Sequence, residues 1–145
     1  MRIFKTKDVR TPQRNGRNAG IDFFVPWDFK EKKLEHGESI MVPSGIKAKI
    51  PEGFCMIAFN KSGVATKKKL LIGACVVDEN YTGEIHLHVI NTGYIDTWVT
   101  PGEKLVQFVI LRPNYVSIEE VGEEGDLKFL NKEERGDKGF GSTGK

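Results

Sequence analysis

The sequence predicts an all-β domain, a barrel or sandwich of the jelly-roll kind. Short apolar runs, about ten of them, are punctuated by 16 glycines and 6 prolines spread through 145 residues. Several runs alternate: in Glu84-Ile-His-Leu-His-Val-Ile90, the side chains of Ile85, Leu87 and Val89 share one face. No stretch keeps apolar residues at helical spacing for three turns, and at most a short helix or turn is expected around Asp126–Lys132. Many short strands at this spacing are what sandwiches and small barrels show.

In chain order, strands are expected at Arg2–Lys5, Ile21–Val25, Ser39–Val42, Ile46–Ile50 and Phe54–Asn60. The first of these follows Met1 directly, and the polar turn Glu35-His-Gly-Glu38 leads into the third. A Lys61-Ser-Gly63 turn closes the fifth. Leu70–Val77 and Glu84–Ile90 form a hairpin around Asp78-Glu-Asn80, and Thr97–Thr100 is separated from Leu105–Leu111 by Pro101-Gly102. Val116–Val121 is the last expected strand.

A chain of 145 residues fits one domain and buries enough surface to fold without disulfides or a metal. Hydrophobic residues at 39% and charged residues at 29% argue against wholesale disorder. A net charge of +2, from 22 cations against 20 anions, is too mild to indicate nucleic-acid or membrane-surface binding. Cys55 and Cys75 lie in apolar runs without CxxC spacing and read as reduced core thiols. The N-terminus lacks the apolar core of a signal sequence, and no run approaches the roughly eighteen residues of a membrane span. A cytoplasmic protein is expected, in the host cytoplasm if the source is viral.

The residues Arg135-Gly-Asp-Lys-Gly-Phe-Gly-Ser-Thr-Gly-Lys145 differ in character. Glycines let successive amides converge on an anion, and Ser142 and Thr143 add hydroxyl donors. Arg135 can pair bidentately with phosphate, and Phe140 can cover a flat ring. A lid for a phosphorylated, ring-bearing ligand has this composition, and so does a frayed linker. The division expected is therefore a barrel domain over 1–134 and a mobile glycine-rich lid over 135–145. The tail is not a Walker loop, whose spacing is missing.

Other segments offer weaker signals. Lys61-Ser-Gly63 puts a cation, a hydroxyl and amides at a strand end, suited to phosphate or simply to a turn. Lys67, Lys68 and Lys69 read as a solvated turn in preference to a phosphate-steering field. The hairpin presents Asp78, which is a turn former or a general base for water. Asp22 stands beside Gly20 at a strand start, and Gln107 follows the Pro101-Gly102 turn. His86 and His88 share a strand face, but no third metal ligand is evident. His36 is expected to be exposed, and Trp27 and Trp98 read as core or interface aromatics.

Five segments in order resemble the motifs of the trimeric dUTPases (dUTP diphosphatases). They are Ala19-Gly-Ile-Asp22, Lys61-Ser-Gly63, Val77-Asp-Glu-Asn-Tyr-Thr-Gly-Glu-Ile85, Gly102-Glu-Lys-Leu-Val-Gln107 and the Arg135–Gly144 tail. The resemblance implies a distorted jelly-roll barrel that forms a homotrimer, each site gathering motifs from more than one subunit. It implies hydrolysis of dUTP to dUMP and pyrophosphate with Mg²⁺ on the triphosphate, keeping uracil out of DNA and supplying dUMP for dTMP synthesis. By position, Asp78 would activate the water that attacks the α-phosphorus, and Gln107 would help hold it. Tyr81 would pack under the deoxyribose and leave no room for a 2′-hydroxyl. Main-chain groups of the 73–86 hairpin, with Gly73, Val77, Glu84 and Ile85, would read uracil. Lys61, Ser62 and Gly63 would touch phosphates. Arg135, Ser142 and Thr143 would hold the γ-phosphate, while Phe140, beside Gly141, would stack on uracil. Asp22 would act on the metal through water.

Three positions depart from the family pattern. Lys61 replaces the usual Arg and loses its planar fork. Cys75 replaces a common Gly beside the base pocket, and Lys138 replaces a tail glycine. A related dCTP deaminase would need a catalytic Glu ten residues after Asp78, where this chain has His88. A nucleotide sensor on the same fold is the remaining alternative, with the acidic segment Asn114–Glu134 as a place for a partner.

Overall fold

The computed structural model describes residues 1–123 and Leu127. The chain divides into two units, Met1–Asn114 and Tyr115–Lys145. The first contains β1 (Arg2–Lys5), β2 (Ile21–Phe24), β3 (Lys32–Leu34), β4 (Ser39–Pro43), β5 (Ile46–Lys49) and β6 (Cys55–Phe59). A five-residue π-helix, Val64–Lys68, follows. Then come β7 (Leu70–Ile72), β8 (Val76–Val77), β9 (His86–Asn91), β10 (Thr97–Val99) and β11 (Lys104–Leu111).

Among the described residues every strand pairing is antiparallel. A four-stranded sheet runs β2-β11-β6-β8 and a three-stranded one β4-β9-β7, with β1-β5 and β3-β10 as two-stranded pairs. Non-consecutive neighbours throughout and inward-facing alternation make the first unit a distorted jelly-roll barrel. Its core is the alternation the sequence displays. Ile85, Leu87 and Val89 are buried beside Phe23, Phe108 and Met56, and the rings of Phe23 and Phe108 meet edge to face at 4.7 Å.

The structure departs from the sequence expectation in four places. Leu70–Val77 is not one strand: Leu70–Ile72 pairs with β9, whereas Val76–Val77 pairs with β6. The chain changes sheets at Gly73–Cys75. Lys32–Leu34 is a strand that the charged run around it conceals, its Lys33 shared between Glu35 at 3.1 Å and Asp96 at 2.9 Å. The Lys61-Ser-Gly63 turn opens a helix, with the Ala65 amide donating to the Lys61 carbonyl at 2.8 Å and Thr66 Oγ1 to that of Ser62 at 2.7 Å. It ends where Lys69 adopts a left-handed φ of 58°.

The fourth departure lies in the second unit. Val116–Val121 is not a strand, and Val116 and Ile118 are exposed. Among the described residues the apolar side chains there have no ladder partner, so the alternation is not realised. Of the helix or turn expected at Asp126–Lys132, only Leu127 is described, and the 135–145 lid lies outside the described residues.

Candidate active site

The central sheet carries one cluster at its β2-β11-β6 end. Asp22 faces Gln107 across the β2–β11 ladder, and Gln107 faces Phe59 across β11–β6. Directly opposed side chains share a face of the sheet. Asp22 is buried at 8% exposure, yet it is charged, so it needs partners. Lys61 binds its Oδ1, and Lys104 reaches Oδ2 at 3.3 Å. Gln107 is fixed by an Nε2–H bond of 2.8 Å to the carbonyl of Asn60. Asn60 in turn accepts the Ile72 amide on Oδ1 at 2.9 Å, tying the β6 end to β7.

Two glycines belong to this cluster for different reasons. A methyl group on Gly20 would overlap Gln107 Oε1, so Gly20 makes room for the carboxamide. Gly63 has φ −65° and open space around a would-be Cβ. Neither backbone geometry nor crowding among the described residues requires glycine there. Its exposed backbone leaves room for close approach by a ligand. Ser62 and Gly63 are both exposed beside Lys61.

A second cluster surrounds the β8–β9 hairpin. A cavity of about 230 Å³ is lined by Cys75, Val77, Asp78, Tyr81, Ile85 and His86, with Ala74, Val76, Met41 and Phe108. Asp78 is exposed at its rim. Tyr81 donates its hydroxyl to the Glu84 carbonyl at 2.9 Å, and a methyl group on Gly83 would strike its ring. The ring is thereby held as a fixed platform, 44% exposed. The Glu84 carboxylate accepts the Gly45 amide at 2.6 Å, so its side chain anchors the hairpin to the turn before β5. Glu79 anchors the other end by accepting the Gly53 amide. Gly73 sits where the chain leaves β7.

The expected residues thus form two groups, which one chain does not bring together. Val77 pairs with Met56 while Gln107 pairs with Phe59. Asp78, one step past Val77, is therefore about 13 Å from Gln107 along the strands and about 10 Å across them. Arg135, Phe140, Gly141, Ser142 and Thr143 lie outside the described residues. Sequence reasoning gave no site role to Asn60 or Lys104, which act through cross-strand neighbours. Of the lysine run, Lys68 is engaged by Glu103 at 2.7 Å and by the Trp98 carbonyl at 2.8 Å, so it is a structural tie. His36 is exposed and stacks on Tyr94, and Trp27 and Trp98 are each 46% exposed.

Among the described residues no three His, Cys, Asp or Glu side chains gather to hold a metal. The donor set fits Mg²⁺ only as an ion carried by phosphates, which keeps most of its water and meets few carboxylates. The one buried carboxylate of this cluster, Asp22, is held by Lys61 and Lys104.

A jelly-roll barrel with lysines, a carboxamide and an open glycine at one sheet end, and a slot of about 230 Å³ with a carboxylate rim at the other, has the chemistry to take up phosphate and a flat ring. The family model for dUTPase matches residues 6–144. The deoxyuridine 5′-triphosphate nucleotidohydrolase of Mus musculus is 33% identical over 100% of this chain and 85% of its own length. That of Fusobacterium nucleatum is 33% identical, over 100% and 97%, and that of Monkeypox virus 30%, over 98% and 88%. Among solved structures, the dUTPase of Staphylococcus bacteriophage 80alpha with dUPNHPP superposes with a TM-score of 0.79 at 25% identity, covering 99% of this chain and 98% of that one. The dUTPase of equine infectious anemia virus gives 0.68 at 26%, covering 84% and 96%. The chain belongs to the dUTPase family. No helix among the described residues is long and apolar enough to cross a membrane.

Proposed function

We propose that this dUTPase-family chain hydrolyses dUTP to dUMP and pyrophosphate. The observation that carries the reading is the extent of the family match: residues 6–144 include every segment that holds a candidate site residue. Relatives solved with dUPNHPP support binding of a uracil deoxynucleotide triphosphate.

The chemistry follows from the two clusters. Uracil enters the slot of about 230 Å³, read by main-chain groups of the hairpin, with the deoxyribose on the Tyr81 ring. A 2′-hydroxyl would press against that ring, so ribonucleotides are rejected on steric grounds. The Asp78 carboxylate takes a proton from water as its oxygen attacks the α-phosphorus. The bond from the α-phosphorus to the bridging oxygen breaks, and pyrophosphate leaves. Gln107 holds the water and a phosphate oxygen, while Lys61, Ser62 and Gly63 take up phosphate charge. Lys61 would leave Asp22 to do so, and Asp22 would then be the residue to help hold Mg²⁺ through water. Mg²⁺, when bound with the triphosphate, neutralises charge on it. A neighbour, the dUTPase of phage phi11 of S. aureus, is described with a structural Mg(II) ion. By the family resemblance, Arg135, Ser142 and Thr143 of the 135–145 segment would hold the γ-phosphate, and Phe140 with Gly141 would cover the base.

The separation of Asp78 from Gln107 within one chain supports a site completed between subunits of a homotrimer. Reduced Cys55 and Cys75 suit a cytoplasmic setting.

The test is turnover of dUTP in ¹⁸O-water. The expected product is dUMP carrying the label and unlabelled pyrophosphate. Label in pyrophosphate would place the attack on the β-phosphorus and refute the assigned geometry. Binding of dUTP without turnover would favour the sensor reading instead.

A further inference from the structure

His88 belongs to neither cluster, yet its ring is committed. It stands on β9, half-buried, and its Nδ1 accepts the Ala74 amide at 2.7 Å. The carbonyl of the same residue accepts the Gly73 amide at 3.1 Å. One residue therefore holds two consecutive amides at the point where the chain leaves one sheet for another. An amide only donates, so Nδ1 carries the lone pair and the neutral ring keeps its proton on Nε2. Gly73 is the complement: a methyl group on it would run into the imidazole. Gly73 lacks a left-handed φ among the glycines that show one, so crowding by His88, not backbone geometry, requires it.

We infer that His88 is a positioning residue for base selection. Its Nδ1 fixes the 73–75 backbone, and Ala74 and Cys75 form a wall of the slot. The wall sets how closely the slot fits the edge of the pyrimidine, including the space beside C5. His88 touches no reacting atom in this arrangement, so it acts on substrate affinity and on uracil-against-thymine discrimination. The inference rests on assigning the slot to the base.

Side-chain reach provides the test. Asparagine places Oδ1 where the histidine has Nδ1, glutamine carries its acceptor one bond further out, and leucine has none. His88→Asn, His88→Gln and His88→Leu are compared with the parent chain for kcat and KM on dUTP and for kcat/KM on dTTP. The Asn variant is expected to keep KM within about threefold of the parent, whereas Gln and Leu raise it about tenfold, the cost of losing the hydrogen bond that fixes the wall. Because the effect is on binding, kcat stays within about twofold. The preference for dUTP over dTTP falls in Gln and Leu alone. If Leu fails to fold, the Asn–Gln comparison carries the test. Equal KM values for Asn and Gln, or a loss confined to kcat, would overturn the role. A parent chain inactive on dUTP would sink the function itself, whereas an active parent with equal variants sinks only this inference.

Discussion

Replacing Asp78 by asparagine is expected to lower kcat for dUTP by about 10²- to 10⁴-fold, the range lost when a positioned general base is removed. KM should change little. Asparagine keeps the size of the side chain and its place at the rim of the slot, so contacts made equally in ground and transition states survive. Stability should hold as well, because Asp78 is exposed and, among the described residues, its side chain ties no neighbouring element. The check is steady-state kinetics with a melting curve on the same preparation. A variant that keeps most of its kcat would remove Asp78 from the chemistry and leave it as a turn residue at the tip of the hairpin.

The second large effect concerns the distance between the two clusters. Gln107→Leu removes the carboxamide and should cost about 10²- to 10³-fold, the penalty for losing a preorganised polar contact to developing charge. When Asp78→Asn and Gln107→Leu chains are co-expressed and assemble together, activity should return. A site that takes Asp78 from one chain and Gln107 from its neighbour finds both intact with even odds at each position, so about a quarter of the sites are restored. Recovery of this size from two nearly inactive chains has no explanation within single chains, where each carries its own defect. No recovery in verified mixed oligomers would mean that one chain closes the gap between the clusters by itself.

Much of the barrel is legible in the sequence because alternation is a local signal. β9 and β11 can be read from Ile85, Leu87, Val89 and the Leu105–Leu111 run. What is not legible comes from long-range pairing. The Leu70–Val77 run is continuous in hydropathy, but its two halves find different partner strands, and only tertiary structure decides that. Lys32–Leu34 is a strand because β10 lies beside it, not because of its composition. The π-helix at Val64–Lys68 has too few apolar positions to show a period.

The site divides in the same way. Asp22, Lys61, Asp78, Tyr81 and Gln107 stand out through the order of five segments, since each alone is an ordinary turn or strand residue. Gly20, Asn60 and Lys104 gain their roles only through register: Gly20 lies beneath Gln107, Asn60 accepts its amide, and Lys104 shares Asp22 with Lys61. Gly20 and Lys104 lie within recognisable segments and Asn60 directly precedes one. The signal was present there, but the contact that gives it meaning was not.

The most direct measurement is pyrophosphate release by the purified chain with Mg²⁺, comparing dUTP with dCTP, dTTP and UTP. Release from dUTP, with the other three far behind, is the predicted result. It would join the hydrolysis to the fit of the slot and to the Tyr81 platform in one experiment. Tight binding of dUTP with no pyrophosphate released, or equal release from all four, would contradict it.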